Sequence, residues 1–148
     1  MRMPRLRLQT GIFSLLIATG MLAGAPHAQA DAQQDANQIL EQTGIAGGLI
    51  VHLGARDGSL TAALRANDSY QVQGLALDDA SLNQARTAIQ EQGVYGSVSV
   101  RRLDSRTLPY IDNLINLMVA DRGLGDVPME EVLRVLAAAS HQHHAAYE

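Results

Sequence analysis

Two spacings of hydrophobic and polar residues alternate along the chain after residue 30. Short, nearly unbroken apolar runs predict strands that are covered on both faces, and longer runs of helix-forming residues predict helices between them. Strands are predicted at Gly48–Leu53, Tyr70–Leu77, Val98–Leu103 and Leu114–Ala120. Helices are predicted at Ala32–Thr43, at Ser59–Ala66, from Asp79 or Ser81 as the cap through Glu91, and at Met129–Ala139.

This alternation of strand and helix predicts parallel strands joined by right-handed crossovers. The expected fold class is α/β: a Rossmann-like open, mostly parallel sheet of about four strands with helices on both faces. After the last predicted helix, the final residues (AAASHQHHAAYE) do not have the pattern of a strand. We therefore expect a sheet that is incomplete at its C-terminal side, either because the chain is a truncated gene product or because a partner completes the exposed edge.

The first thirty residues have the pattern of a secretory signal peptide. Basic residues precede the apolar stretch Gly11–Ala25, and Ala28-Gln29-Ala30 is a small-x-small cleavage site. A single membrane anchor is the alternative, but polar residues interrupt the stretch and no polybasic segment follows it. We expect residues 1–30 to be a signal peptide, 31–139 one domain and 140–148 an irregular tail. The exported chain, in the periplasm or secreted, would have no stable membrane span.

Composition excludes several classes of function. The net charge of −4 without a basic patch argues against nucleic-acid binding, which requires clustered cations. The absence of cysteine excludes disulfides and thiolate metal sites. The histidines of the tail, His141, His143 and His144, lie in an alanine-rich segment without fixed geometry, so no metal site is expected.

Candidate binding residues follow the predicted strands at their carboxyl ends, where ligands bind in open parallel sheets. Gly54, Arg56 and Gly58 follow the first strand, Asp78 the second and Asp104 the third. The separation of about twenty residues between Gly58 and Asp78 would let an acidic side chain reach the ribose of a cofactor that lies over the first turn.

The same residues also have purely structural interpretations. The two glycines suit an ordinary turn between strand and helix, and Asp78-Asp79 suits the start of a helix because acidic groups are favoured there. Asp104 suits a surface ion pair with Arg101 or Arg106. No nucleophile with a partner base, and no phosphate-binding loop, is present in the sequence.

Four stretches carry a resemblance to a known family. They are Val51–Gly58, Gly74–Asp78, Asp104 with Leu108-Pro109-Tyr110, and Leu114–Ala120. Together they resemble the class I S-adenosylmethionine-dependent methyltransferases over roughly residues 39–136. The segments RANDSYQVQGL and LPYIDNLINLMVA resemble, more narrowly, a methyltransferase-like module at the start of exported bacterial proteins whose remainder is a pyrroloquinoline-quinone-type β-propeller.

The resemblance implies S-adenosylmethionine as cofactor, with Gly54, Arg56, Gly58, Asp78 and Asp104 at the matching binding positions. Three positions depart from the pattern of the family. An acidic residue is expected where His52 stands, glycine where Arg56 stands, and a second acidic residue where Ala76 stands. These departures remove groups that would hold the cofactor.

Two hypotheses about function follow. In the first, the chain is an exported methyltransferase-like domain that binds S-adenosylmethionine and has weak or lost activity. In the second, it is a non-catalytic binding or interaction module, a fragment of a β-propeller protein, whose sheet a propeller domain or protein completes. The methyl acceptor is not identified by any residue of the sequence.

Overall fold

The computed structural model describes residues 26–137, so most of the predicted signal peptide and the tail at 140–148 lie outside the described residues. In this part of the chain the helices are α1 (Pro26–Thr43), α2 (Ser59–Ala63), α3 (Asp79–Glu91) and α4 (Met129–Val135). The strands are β1 (Gly48–Leu53), β2 (Tyr70–Ala76), β3 (Val98–Arg102) and β4 (Leu117–Val119). Among residues 26–137, no helix has the length and apolar character needed to cross a membrane.

The described strands form one parallel sheet in the order β3-β2-β1-β4. This confirms the predicted α/β class with an open sheet. β1 lies between β2 and β4, and its residue His52 pairs with Gly74 on one side and Val119 on the other. The strand order reverses beside β1, so the carboxyl ends of β1 and β4 border the crevice where such sheets bind ligands.

Side chains from the two faces of the sheet form two hydrophobic clusters, because successive residues of a strand point to opposite faces. Ile50 and Val72 point toward α1, α2 and α3, where they pack with Ala36, Ala85 and others. Val51, Leu53, Leu75 and Met118 point to the other face and pack with α4 through Val132 and Val135. The prediction of helices on both faces is therefore confirmed.

The first helix is longer than predicted. α1 begins at Pro26 rather than Ala32, so it extends through the predicted cleavage site Ala28-Gln29-Ala30. These residues favour helix by propensity, and proline is well tolerated in the first turn of a helix. Ala32 and Ala36 are buried, so the part of α1 after the cleavage site is the part that packs on the domain.

The C-terminal elements are shorter than predicted. β4 is Leu117–Val119 rather than Leu114–Ala120, and α4 ends at Val135 rather than Ala139. The reason is a second pairing. Ile115 donates its backbone N–H to the carbonyl of Val135, and its own carbonyl accepts from Ala137, each at 2.8 Å. The backbone N–H of Asn116 bonds on the other side, to the carbonyl of Leu49.

Ile115 and Leu136 form a parallel bridge on the side of the β4 segment away from β1. The chain after α4 therefore returns to the outer edge of the sheet, where the sequence predicted an uncovered strand. Extended backbone at Leu136, with φ −72° and ψ 133°, ends the helix so that this pairing can form. The segment that follows, from residue 138, lies outside the described residues.

Smaller corrections concern helix ends. α2 ends at Ala63 rather than Ala66, because a turn follows in which the Asn67 side chain accepts from the N–H of Ser69 at 2.8 Å. The cap of α3 is Asp78, not Asp79 or Ser81. β2 and β3 each end one residue earlier than predicted.

Candidate functional site

A cavity of about 300 Å³ opens at the carboxyl ends of β1 and β4. It lies between the turn after β1, the residues after β4 and the helices on that side of the sheet. Its lining residues are Asp31, Ala32, Asp35, His52, Gly54, Arg56, Asp57, Ser59, Leu60, Gln84, Asp121 and Arg122. The lining has four carboxylates and two guanidinium groups, so the cavity favours a cationic ligand.

The turn after β1 forms one wall of this cavity. The backbone N–H groups of Gly54 and Ala55 both donate to the carbonyl of Leu75, at 2.9 and 3.1 Å, which curls the chain at the end of the strand. Gly54 has φ +88°, a conformation that favours glycine. A Cβ at Gly54 would have one neighbour within 4 Å, the Asp121 Oδ1 atom at 3.8 Å, so the wall here is open backbone.

Gly58 has a packing role. Its φ is +79°, and a Cβ there would lie 2.9 Å from the carbonyl oxygen of Ala85 and 3.0 Å from its Cα. Gly58 therefore lets the start of α2 approach the backbone of α3 closely. It does not line the cavity. The contacts of Gly58 are therefore explained by its role in the turn between β1 and α2 and in the packing of α2 on α3.

Arg56 lies in the cavity lining. Its side chain is exposed. Among the described residues it has no hydrogen-bond or ion-pair partner, so the guanidinium is free to move into the cavity or away from it. Arg56 is therefore able to obstruct a ligand there.

His52 is buried at the end of β1, with 4% of its surface exposed. Its Nδ1 lies 2.8 Å from Thr61 Oγ1 and its Nε2 lies 3.3 Å from Asp121 Oδ1. Burial lowers the pKa of His52 below its ordinary value, and the neighbouring Asp121 and Asp57 carboxylates oppose this only in part. Because a carboxylate can only accept, the neutral ring donates from Nε2 to Asp121 and accepts from the Thr61 hydroxyl at Nδ1.

Asp78 lies outside the cavity lining. β2 ends at Ala76, and Asp78 turns its carboxylate back onto α3, where it accepts from Ser81 N at 2.7 Å and Ser81 Oγ at 2.9 Å. The hydrogen bond from the Ser81 backbone is the main cause that lowers the pKa of Asp78. Ala76 is fully buried. Because β2 ends before Asp78, the strand does not present the Asp78 carboxylate to a ribose.

Asp104 also lies outside the cavity lining. Its partner is Arg102 at 3.1 Å, and Arg102 also pairs with Asp79 at 2.5 Å. The prediction that Asp104 pairs with Arg101 or Arg106 was wrong. Arg106 instead donates to the backbone carbonyl of Asp126.

The structure therefore brings together two of the five predicted binding residues, Gly54 and Arg56. The lining also contains residues beyond these five, above all Asp121, which directly follows the predicted fourth strand. Its place at a strand end was a usable signal. Asp31 and Asp35 gave no such signal, since only the packing of α1 brings them to the cavity. Among residues 26–137, no group of side chains could hold a metal ion, and the histidines of the tail lie outside this range.

Comparison with known proteins shows the fold. No family model and no curated protein matches the sequence. Among solved structures, the chain is similar to a protein from Methanococcus maripaludis that is provisionally described as an S-adenosyl-L-methionine-dependent methyltransferase. The TM-score is 0.67 and the identity is 19%. The match covers 75% of this chain and 53% of that protein.

Two further structures are similar. Geranyl diphosphate C-methyltransferase from Streptomyces coelicolor A3(2) matches with a TM-score of 0.61 and 18% identity over 70% of this chain and 40% of the enzyme. The cyclase SpnF matches with a TM-score of 0.62 and 21% identity over 71% of this chain and 41% of its own. The fold is thus methyltransferase-like, and the chain spans about half the length of these proteins or less. Since a cyclase shares it, the fold alone does not define the reaction.

Proposed function

We propose that the chain is an exported, methyltransferase-like domain whose cavity binds S-adenosylmethionine weakly and whose methyl-transfer activity is weak or lost. The observation that carries this proposal is the position of the cavity, at the carboxyl ends of β1 and β4 in a methyltransferase-like sheet. Net negative charge in the lining suits a ligand that has a sulfonium and an ammonium group. The predicted signal peptide supports export.

The cavity residues divide into groups that would hold the cofactor and groups that would hinder it. Gly54 leaves open backbone against which a ligand can lie, and Asp121 supplies a carboxylate beside it. Arg56 brings a guanidinium into the same space. Both carboxylate oxygens of Asp78 are already engaged by Ser81, which leaves the ribose without its expected acidic partner. This balance supports binding that is weak.

When bound, S-adenosylmethionine supplies an electrophilic methyl group, and the enzyme's part in such chemistry is mainly to position the acceptor. The cavity lining contains no nucleophile paired with an exposed base. His52 is buried and hydrogen-bonded at both ring nitrogens, so it is not available to take a proton from an acceptor. The accessible bases of the lining are therefore carboxylates, which are weak bases, and this supports weak or lost activity.

A second candidate function is favoured by the positions at which the sequence departs from the methyltransferase pattern. With Arg56 in the cavity and Ala76 buried in place of an acidic residue, the sheet could serve as a non-catalytic binding or interaction module. Export also favours this candidate, because the cofactor is made in the cytoplasm. Its partner would be a propeller domain or protein, as the resemblance of the two narrower segments implies.

Titration of the isotope-labelled full-length chain with S-adenosylmethionine, followed by NMR chemical shifts, tests the first function. We expect saturable shifts with a Kd on the order of 0.1 mM or weaker. Asp78→Ala should leave this Kd unchanged. Arg56→Gly should tighten binding several-fold, whereas Arg101→Ala, which removes an exposed arginine outside the cavity lining, should not.

Two results would contradict the proposal. Low-micromolar affinity that is abolished by Asp78→Ala would show a functional cofactor site with the predicted ribose contact. No shift in the wild type or in Arg56→Gly at millimolar cofactor would favour the non-catalytic module.

A further inference from the structure

Exposed apolar side chains are concentrated in one part of the surface. Six large hydrophobic residues are exposed in the described part of the chain, and four of them lie in α4 or in the segment 110–114. These four are Ile111 (71% exposed), Leu114 (41%), Met129 (48%) and Leu133 (41%). Met129 and Leu133 are four residues apart and therefore lie on the same side of α4. The four residues are called the apolar patch below, and exposed patches of this kind mark interaction sites.

Hydrogen bonds fix the two parts of the apolar patch to each other. The backbone N–H of Asn113 donates to the carbonyl of Arg134 at 3.0 Å. The Arg134 guanidinium donates all five of its N–H groups, at 2.7–3.2 Å, to both carboxylate oxygens of Glu131, to the Asp112 carboxylate and to the carbonyls of Leu108 and Tyr110. The segment 110–114 is therefore held against α4, and the patch is formed before any partner binds.

The charge beside the apolar patch is negative. In α4 and the segment 110–114, the three carboxylates of Asp112, Glu130 and Glu131 oppose the single guanidinium of Arg134. Since every N–H group of Arg134 is engaged, these two elements offer a partner only carboxylates, with 67% of the Asp112 side chain exposed and Glu130 exposed as well. A second copy would bring like charges together across a symmetric contact, so a basic and apolar partner fits better.

The chain itself contains a segment with this chemistry. Residues 1–25 have three arginines, no acidic residue and the apolar stretch Gly11–Ala25. As long as this leader stays attached, its apolar stretch gains free energy by leaving water. Twenty-five residues before Pro26 reach up to about 80 Å when extended, which exceeds the diameter of a domain of this size. The leader is therefore long enough to reach the patch.

We propose that the leader, residues 1–25, binds the apolar patch before it is removed. The stretch Gly11–Ala25 covers the four apolar side chains, and the arginines of the leader lie beside Asp112 and Glu130. This inference rests on the leader that is part of the proposed function, and it adds a binding site for that leader on the domain. Because the contact ends when the leader is removed, processing exposes the patch.

Cysteine pairs test the contact directly, because the chain has no cysteine of its own. Ala30→Arg keeps the leader attached in the full-length chain. In this background, Leu16→Cys combined with Leu133→Cys should form an intramolecular disulfide on mild oxidation. Leu16→Cys combined with Tyr95→Cys is the matched control and should not, since Tyr95 is an exposed hydrophobic residue (53%) outside the patch.

Reaction with a maleimide measures how far the leader covers the patch. With Leu133→Cys alone, the thiol should react about tenfold more slowly in the leader-bearing chain than in the processed chain. An effective concentration on the order of 1 mM and a Kd on the order of 0.1 mM give that ratio. Changing Arg2, Arg5 and Arg7 to glutamine should remove most of this protection, whereas the thiol of Tyr95→Cys should react equally fast in both chains.

Three results would overturn the inference. The first is an equal maleimide rate at Leu133→Cys with and without the leader, and the second is an equal disulfide yield at Tyr95→Cys. The third is protection that rises with protein concentration, which would identify a second copy as the occupant. Ile111→Cys repeats both measurements if circular dichroism shows that Leu133→Cys does not fold. Failure of export or of cofactor binding would contradict the proposed function alone, because the disulfide test uses only the uncleaved chain.

Discussion

His52 is held neutral inside the domain because burial removes water from its imidazole. The charged groups that face it, Asp121 and Asp57, raise the pKa only in part. The Thr61 hydroxyl bonds to the remaining nitrogen. Protonation would add an N–H at Nδ1, and this is the nitrogen to which the Thr61 hydroxyl donates. At the residue scale, the stability of the site depends on keeping this ring uncharged.

This dependence predicts a loss of stability in mild acid. The folded-state pKa lies below the ordinary value of 6.5, so the unfolded chain takes up the proton first as the pH falls. The contribution of neutral His52 is fully present above about pH 6.5 and is lost as the pH falls through the folded-state pKa. Urea unfolding at pH 7.5 and pH 5.5 should show a lower free energy of unfolding at pH 5.5.

His52→Gln is the control for this effect. It cannot titrate, so its free energy of unfolding should change less between the two pH values. Asp78 and Glu131 have pKa values lowered from 3.8 and 4.5, so their titration falls below this window. An identical pH dependence in wild type and His52→Gln would show that other groups are responsible.

At the scale of elements, the contact between α2 and α3 depends on Gly58. The backbone of Ala85 comes so close that a side chain at Gly58 would overlap it. The same turn carries Gly54 and Arg56 into the cavity. The packing of two helices therefore determines where the candidate site lies.

Gly58→Ala should lower the free energy of unfolding by about 2 kcal/mol or more, because it adds a steric overlap to the cost of a left-handed conformation. Gly93→Ala is the matched control. Gly93 has φ +69° but nothing within 4 Å of an added Cβ, so it should lose only about 1 kcal/mol. Denaturant unfolding measures both. Equal losses would mean that α3 can move away from Gly58 without cost.

At the scale of the whole molecule, α1 connects the predicted leader to the cavity. Asp31 and Asp35 line the cavity, and the predicted cleavage site lies in the same helix immediately before them. Cleavage after Ala30 would leave the buried Ala32 and Ala36 in place. The packing of the domain is thus compatible with removal of residues 1–30.

Expression of the complete gene in a Gram-negative bacterium tests export. We expect the chain in the periplasmic fraction, with a mass that corresponds to an N-terminus at Asp31. Ala30→Arg, which places a large charged residue in the small-x-small site, should block cleavage and retain the leader. An uncleaved wild-type chain in the cytoplasmic fraction would contradict export.

The fold class could be predicted from the sequence because hydrophobic periodicity reflects burial directly. GLIVHL and YQVQGLAL are found as parallel neighbours, and the helix through Glu91 buries Leu82, Ala85 and Ile89 at helical spacing. The positions of Gly54 and Arg56 followed from the same pattern, because they directly follow the first strand. The sequence by itself thus determined the order of elements and the end of the sheet where the cavity lies.

Only the tertiary structure decided which side chains meet there. Asp121 and His52 are 69 residues apart, and their contact depends on the register of β4 against β1. Asp78 has the expected spacing from Gly58, yet it caps α3, because a local hydrogen bond to Ser81 forms within one turn of chain. Periodicity records whether a residue is buried, whereas contacts between distant residues depend on strand order and register, and no local pattern of residues encodes these.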